Sequence, residues 1–167
     1  MSAPGGGGGD RIGTGFDAHR LVEGRPLMLG GVRIDHPRGL AGHSDGDCLL
    51  HAVCDAILGA LGAGDLGQHF PSADPVWKDA ASLRFLERVA RLLDEKGYAL
   101  GNIDATVIAQ APSLAPHLDA MRAHIAGALR APLDAVSVKA KSTDALGAIG
   151  RGEGIAAQAV VLLRPLA

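Results

Sequence analysis

The stretch AASLRFLERVARLLDEKG, residues 80–97, constrains the fold more than any other part of this chain. Leu83, Leu86, Val89, Ala90 and Leu93 recur at helical spacing, with charged residues filling the gaps. A helix that is apolar on one face has to lie against a second layer. Gly97, which tolerates a left-handed backbone, is its expected C-cap. The core beneath it is expected to be aliphatic, because 47% of the residues are hydrophobic but only 3% aromatic.

The remaining segments supply that second layer. RIGTGF (11–16) and LMLGGVRI (27–34) read as strands joined by a turn at residues 23–26. HSDGDCLLHAVCDAILGALGAG (43–64) reads as a helix capped by Ser44 or Asp45 and ended by Gly62 or Gly64. Residues 65–79 are rich in breakers and read as a loop. A strand (100–110), a helix (111–130), a strand (135–142), a Gly-rich loop (143–154) and a closing strand (155–163) follow. The order predicts an α/β fold, specifically an α+β two-layer sandwich: one mixed sheet with helices packed on one face. Residues 1–10 are Gly-rich and predicted to be disordered; residues 11–167 form one domain.

The formal net charge of −2 argues against a nucleic-acid partner. No run approaches the length of a membrane span, and the N-terminus lacks the pattern of a signal peptide, so a soluble, cytoplasmic protein is expected. Cys48 and Cys54 stand six apart on one helix and read as small buried residues rather than a disulfide or metal knuckle. His117 and His124 read as surface residues.

The chemistry concentrates in two places. In GTGFDAHRL (13–21), Asp17 and His19 are two apart and share one face if the segment is extended. On the following helix His43, Asp47, His51 and Asp55 are spaced by four and form a polar stripe. A buried polar stripe costs free energy unless it is paired or ligated. One Asp and two His make a divalent-metal set, and three protein ligands leave zinc a fourth, open position. The trio is Asp17, His19 and His51, with Asp47 expected to orient an imidazole. A D-x-H pair and a histidine-bearing helix also occur as ordinary satisfied residues. The second place is the set of loops at 64–74, 109–115 and 139–154, which offer backbone N–H groups together with Lys139, Lys141, Ser142, Thr143 and Arg151. They fit anion binding, and they also fit plain Gly-rich turns; none has the spacing of a nucleoside-triphosphate loop.

Taken together, RIGTGFDAHRL, LGGVRI, GLAGHSDGDCLLHAVCDAILGA, GDLGQHFP, NIDATVIAQAP and GRGEGIAAQAVVLL resemble the 2-C-methyl-D-erythritol 2,4-cyclodiphosphate synthases, in order and spacing, from Arg11 to about Leu163. The resemblance implies an enzyme of the non-mevalonate isoprenoid pathway. It would cyclise 4-diphosphocytidyl-2-C-methyl-D-erythritol 2-phosphate and release CMP. It implies one Zn2+ per subunit on Asp17, His19 and His51, and a second divalent cation, Mg2+ or Mn2+, bound with substrate near Asp144. His43 and Ser142 would stabilise the transition state. His43 and Ser44, with Asp17 and His19, would contact the phosphate and erythritol portion. Asp65, Leu66 and Gly67, with Phe70, Pro71, Ser72, Ala73 and Asp74, would form the erythritol loops. Ala109, Gln110, Ala111, Pro112, Ser113, Leu114 and Ala115 would form the cytosine pocket. Lys141, Ser142, Thr143 and Asp144 would cradle the diphosphate.

The family is a homotrimer with sheets around a central cavity and active sites between subunits. Ala148 and Arg151 match positions at that cavity, which can hold an isoprenoid diphosphate. Asp144 stands where many members have Glu, Ser113 where Lys or Arg is frequent, and Ala148 where many have Phe; Ala148 is expected to widen the cavity and change how such a ligand binds. At this length the single-function form is expected rather than the form fused to a cytidylyltransferase. A metal-dependent phosphohydrolase and a non-catalytic cytidine-nucleotide-binding trimer are the alternative readings.

Overall fold

Period-two burial along Arg11–Glu23 makes this segment one long strand, β1, which runs well past the predicted 11–16. In this computed structural model residues 8–167 are described; residues 1–7, most of the predicted disordered segment, lie outside the described residues. Gly8 lies close against the Tyr98 hydroxyl. The predicted strand at 27–34 is instead a hairpin. Leu27–Leu29 (β2) pairs with Val32–Ile34 (β3) because Gly30 and Gly31 take φ of +59° and +72°, the pair of positive values that a tight hairpin turn needs. Arg38–Leu40 (β4), a strand too short to leave a pattern in the sequence, pairs with the end of β1.

The helix predicted from residue 43 begins later, at Cys48–Ala60 (α1). Its N-cap is Asp47, whose side chain accepts from Leu50 N, and not Ser44 or Asp45. Gly46 just before it has φ +76°, which keeps HSDGD out of the helix. The predicted polar stripe is therefore split: His51 and Asp55 lie on α1, Asp47 caps it, and His43 sits in the loop before it. The helix ends at Leu61, with Gly62 at positive φ as expected.

Breakers do not leave 65–79 wholly irregular: it holds Leu66–His69 (α2) and a 3-10 turn at Pro75–Trp77, capped by Asp65 and Asp74. Ser82–Glu95 (α3) and Tyr98–Ile108 (β5) follow, with Gly97 at φ +76° between them. The helix predicted over 111–130 is shortened to Leu118–Leu129 (α4), because Pro112 and Pro116 lack the N–H groups that a helix interior needs. Val136–Lys141 (β6), the short helix Gly147–Gly150 (α5) inside the predicted loop, and Gly154–Pro165 (β7) complete the chain.

Five strands form a mixed sheet in the order β4-β1-β7-β5-β6, antiparallel except for the β5–β6 pair. Helices α1, α3 and α4 cover one face, as the two-layer prediction requires. On that face β7 presents Ile155, Ala157, Ala159, Val161 and Leu163, all buried. Leu86, Val89, Ala90 and Leu93 of α3 are buried as predicted, but Leu83 is half-buried and Phe85 takes the core position. The expected aliphatic core holds except here, where Phe70, Trp77 and Phe85 pack together with centroids 4.5–5.4 Å apart. Both cysteines are free and buried as predicted, and burial pushes their thiols up.

Two glycines set how deeply α1 lies on the sheet. A Cβ on Gly13 would meet the Ala56 carbonyl at 1.9 Å, and one on Gly15 the Ala52 carbonyl at 2.0 Å. Only glycine allows this approach, which brings the next helix-facing residue of β1, Asp17, under His51 of α1. No helix among the described residues is long and apolar enough to cross a membrane.

Candidate metal centre and substrate cavity

Asp17 and His19 project to the same side of β1, the side that meets α1, and His51 descends on them from that helix. Asp17 Oδ2 lies 2.7 Å from His19 Nε2 and 2.9 Å from His51 Nδ1; the two ring nitrogens are 3.3 Å apart. One donor atom from each of the three falls within 4.8 Å of the others, the geometry of a metal ligand set. Burial raises the Asp17 carboxyl, but its two imidazole bonds outweigh that and hold it well below the usual carboxylate range. The Asp17 bond raises His19 above its ordinary value of 6.5, against the opposing effect of burial.

The tautomers follow from the partners behind the rings. His19 Nδ1 faces the Ala41 carbonyl, which can only accept, so the lone pair is left on Nε2. His51 Nε2 faces the hydroxyls of Ser82 at 2.9 Å and Ser44 at 3.1 Å, leaving Nδ1 toward Asp17. An ionised carboxylate and two imidazole lone pairs thus converge, a donor set suited to a divalent cation such as zinc. Asp47 does not orient an imidazole. Its fully buried carboxylate accepts from Gly30 N, Gly31 N and Leu50 N, fixing the β2–β3 turn to the start of α1. That work leaves it no reach to a ring.

A cavity of about 170 Å3 opens on the cluster, lined by His19, His43, Ser44, His51, Leu66, Phe70, Ser72, Trp77 and Phe85. His43 Nε2 is buried with no partner among the described residues, so a ring nitrogen is left for a ligand. Arg25 holds the loop on either side of His43 by donating to the Gly42 and Ser44 carbonyls. Leu66 N donates to Asp55 Oδ1 at 2.7 Å, tying the loop of Asp65, Gly67, Pro71, Ala73 and Asp74 to α1. Ser82, Phe85, Trp77 and Arg25 were not singled out in the sequence. Ser82 and Arg25 lie 31 and 17–19 residues from what they touch, and no short motif encodes the packing of Trp77 on Phe70 and Phe85.

The other predicted site residues assemble elsewhere. Ala109, Gln110, Pro112, Ser113, Leu114 and Ala115, with Ala140, Lys141 and Ser142, line a second cavity of about 250 Å3 that shares no residue with the first. Ala111 lies exposed in the same turn. Gln110 Oε1 accepts from Ala145 N, and Ser142 Oγ from Asp144 N, so the two loops are tied together. Thr143 donates to the Leu146 carbonyl. Ala148 is exposed on α5, and Arg151 is paired with Glu153 at 2.6 Å. The register carries Ala18 through Ala156 and Ile108 to Lys141 along one row of the sheet. Lys141 therefore sits three strands from β1, about 14 Å away, on the face opposite to Asp17 and His19.

Fold and site define a class: an α+β two-layer protein whose first strand and first helix build an Asp–His–His cluster beside a largely apolar cavity. The YgbB family matches residues 10–164, and the chain belongs to it. A 2-C-methyl-D-erythritol 2,4-cyclodiphosphate synthase of Bacillus velezensis is 58% identical over 154 residues, 92% of this chain and 98% of that protein. Among solved structures, the bifunctional IspDF from Campylobacter jejuni superposes with a TM-score of 0.90 at 43% identity, over 94% of this chain and 42% of that one. The CDP complex of IspF from Plasmodium falciparum does so at 0.84 and 37% identity, over 95% and 98%.

Proposed function

We propose that this chain closes the ring of 2-C-methyl-D-erythritol 2,4-cyclodiphosphate from 4-diphosphocytidyl-2-C-methyl-D-erythritol 2-phosphate. The observation that carries the reading is the Asp17–His19–His51 cluster beside a cavity that His43 and Ser44 also line, in a chain of this family. An oxygen of the substrate's 2-phosphate bonds to the β-phosphorus. The bond from that phosphorus to the oxygen bridging the α-phosphate breaks, and CMP leaves with that oxygen and the electron pair. No protein nucleophile is needed, because the attacking group is already part of the molecule; positioning supplies much of the rate.

Zinc bound by Asp17 Oδ2, His19 Nε2 and His51 Nδ1 would polarise a phosphoryl oxygen and offset the repulsion between the two anionic groups. His43, with its free Nε2, meets developing phosphoryl charge, and Ser44 positions the erythritol portion. The loop of Leu66, Phe70 and Ser72 closes the apolar side of the cavity. Ala109–Ala115 read the cytosine, Lys141–Asp144 hold the diphosphate with Ser142 as a charge stabiliser, and Asp144 shares a second cation, Mg2+ or Mn2+.

Lys141 lies on the sheet face opposite to Asp17 and His19, and the two cavities share no lining residue, which favours an active site completed by a neighbouring subunit. Ile12, Phe16 and Val160 support that assembly: they leave 74%, 63% and 44% of their surfaces bare on the uncovered sheet face, where three sheets would meet in a homotrimer. An isoprenoid diphosphate in the central cavity would have to draw Arg151 from Glu153, and the small Ala148 gives it little apolar contact.

The test is phosphorus NMR of the purified chain with the diphosphocytidyl substrate, zinc and magnesium. CMP together with two coupled ring phosphorus signals is the expected result. CMP with a linear phosphate product identifies a hydrolase, and bound nucleotide without turnover a binding protein.

A further inference from the structure

We infer that Asp45 and Ser82 are positioning residues that, acting in series, fix the proton on the far side of His51 and so set how strongly the metal centre holds its cation. The inference rests on the metal-centre reading above. Its basis is the direction of three hydrogen bonds. The Asp45 carboxylate can only accept, and Ser82 Oγ lies 2.5 Å from its Oδ1. A hydroxyl has a single hydrogen, so that hydrogen points to Asp45. Ser82 then presents a lone pair to His51 Nε2 at 2.9 Å, and the ring must carry its proton there. The remaining lone pair, on Nδ1, faces Asp17 and His19.

The relay is well seated. Ser82 is fully buried and His51 is 7% exposed, so water does not compete for these bonds. Asp45 is itself held by three donors, because it also accepts from Asp47 N at 3.1 Å and Ser82 N at 3.0 Å. The last bond explains an oddity of α3. Its N-cap, Ala81, has no capping side chain, and the carboxylate of a residue 37 positions away serves the first helical N–H instead. One carboxylate thus anchors α3 and orients a metal ligand. Ser44, 3.1 Å from His51 Nε2, is the competing acceptor, but it has no carboxylate behind it: its other contacts are Gly46 N and, at 3.4 Å, Ser82 Oγ.

The test is zinc affinity, measured by competition with a chromophoric chelator. Asp45→Asn keeps the shape; with its amide nitrogen at the Oδ1 position it donates to Ser82 Oγ, gives up the bond from Asp47 N and keeps the α3 cap through its remaining oxygen. That frees the hydroxyl to donate to His51 and turns the ring's proton toward the metal. It should weaken zinc binding about 10- to 100-fold, the usual effect of losing an outer partner of a metal histidine. Ser82→Ala, or the closer-shaped Ser82→Cys should the alanine variant fail to fold, should do the same. The double variant should be no weaker than the weaker single one, since the two residues form one chain. Cobalt-loaded Asp45→Asn should also shift its visible bands, which a purely structural role for Asp45 would leave in place. Affinity within about twofold of the parent for Asp45→Asn, or additive losses in the double variant, overturns the relay. A loss confined to Ser44→Ala does so as well. A parent chain that takes up no zinc overturns the metal reading, and the relay with it.

Discussion

The two faces of β1 carry opposite instructions on one strand. Gly13, Gly15 and Asp17 meet α1 closely, a glycine under each of the Ala56 and Ala52 carbonyls and a carboxylate under His51, and His19 and Leu21 continue the same face. Ile12, Thr14, Phe16, Ala18 and Arg20 face away and meet no helix, although two of them are large and apolar. The first face is a finished interior that carries two of the three clustered side chains. The second has the surface of an interior without the layer to cover it. The difference teaches that one strand can bring a carboxylate and an imidazole to a helix inside the chain while its other face keeps large apolar side chains bare.

The sharpest way to break this contrast is at the finished face. His51→Ala removes a ligand on which two β1 side chains converge. Turnover should fall to background and zinc should be lost on dialysis, an effect beyond the 10- to 100-fold cost of an outer partner. Metal analysis beside a far-UV spectrum checks it; a folded variant with full zinc and full turnover removes the metal centre from the reading.

At the bare face, Phe16→Asp should separate the proposed trimer into single chains, because an uncompensated charge buried in an apolar contact costs several kcal/mol. Sedimentation should show the mass falling to that of one chain, and turnover should fall with it while zinc stays bound. A parent that already sediments as one chain would mean that the bare face has no such partner.

A smaller effect is expected between strand and helix. Gly15→Ala puts a Cβ 2.0 Å from the Ala52 carbonyl, so α1 must move. The expected cost is about 1–3 kcal/mol in urea unfolding, with weaker zinc binding because His51 moves too. An unchanged midpoint would show that α1 is not pinned by the glycines.

The smallest effect is a pH dependence. In metal-free protein His19 is raised above 6.5 by Asp17, so its stabilising contribution is complete below that value and is lost as pH rises through the folded value. Zinc must displace that proton, so its affinity should climb over the same window, by at most about tenfold per pH unit for one proton released. Melting of chelator-treated protein and competition titrations at stepped pH read the two opposite slopes.

Much of this was legible along the chain, and the particulars show why. Asp17 and His19 declare themselves through a period of two, and the α3 stripe through a period of 3.6, because both depend only on local backbone geometry. The helix start was misread at Ser44 and Asp45 because a capping residue is chosen by what its side chain reaches. Asp47 reaches Leu50 N, whereas Asp45 is committed to Ser82. Asp47 was misassigned to an imidazole for the same reason, since its true partners, Gly30 and Gly31, lie 17 and 16 residues away.

The sequence by itself determined the layered class, the largely aliphatic core, the three residues that cluster as Asp17, His19 and His51 and, through the resemblance of its motifs, the family. Those properties follow from composition, from repeat spacing and from residue types that physics restricts to a few uses. Only the tertiary structure decided how close α1 comes to β1, which nitrogen of each imidazole faces the cluster, who caps α3, and which sheet face stays bare. Each of these depends on bonds and contacts between segments tens of residues apart, and packing, not spacing along the chain, brings such segments together.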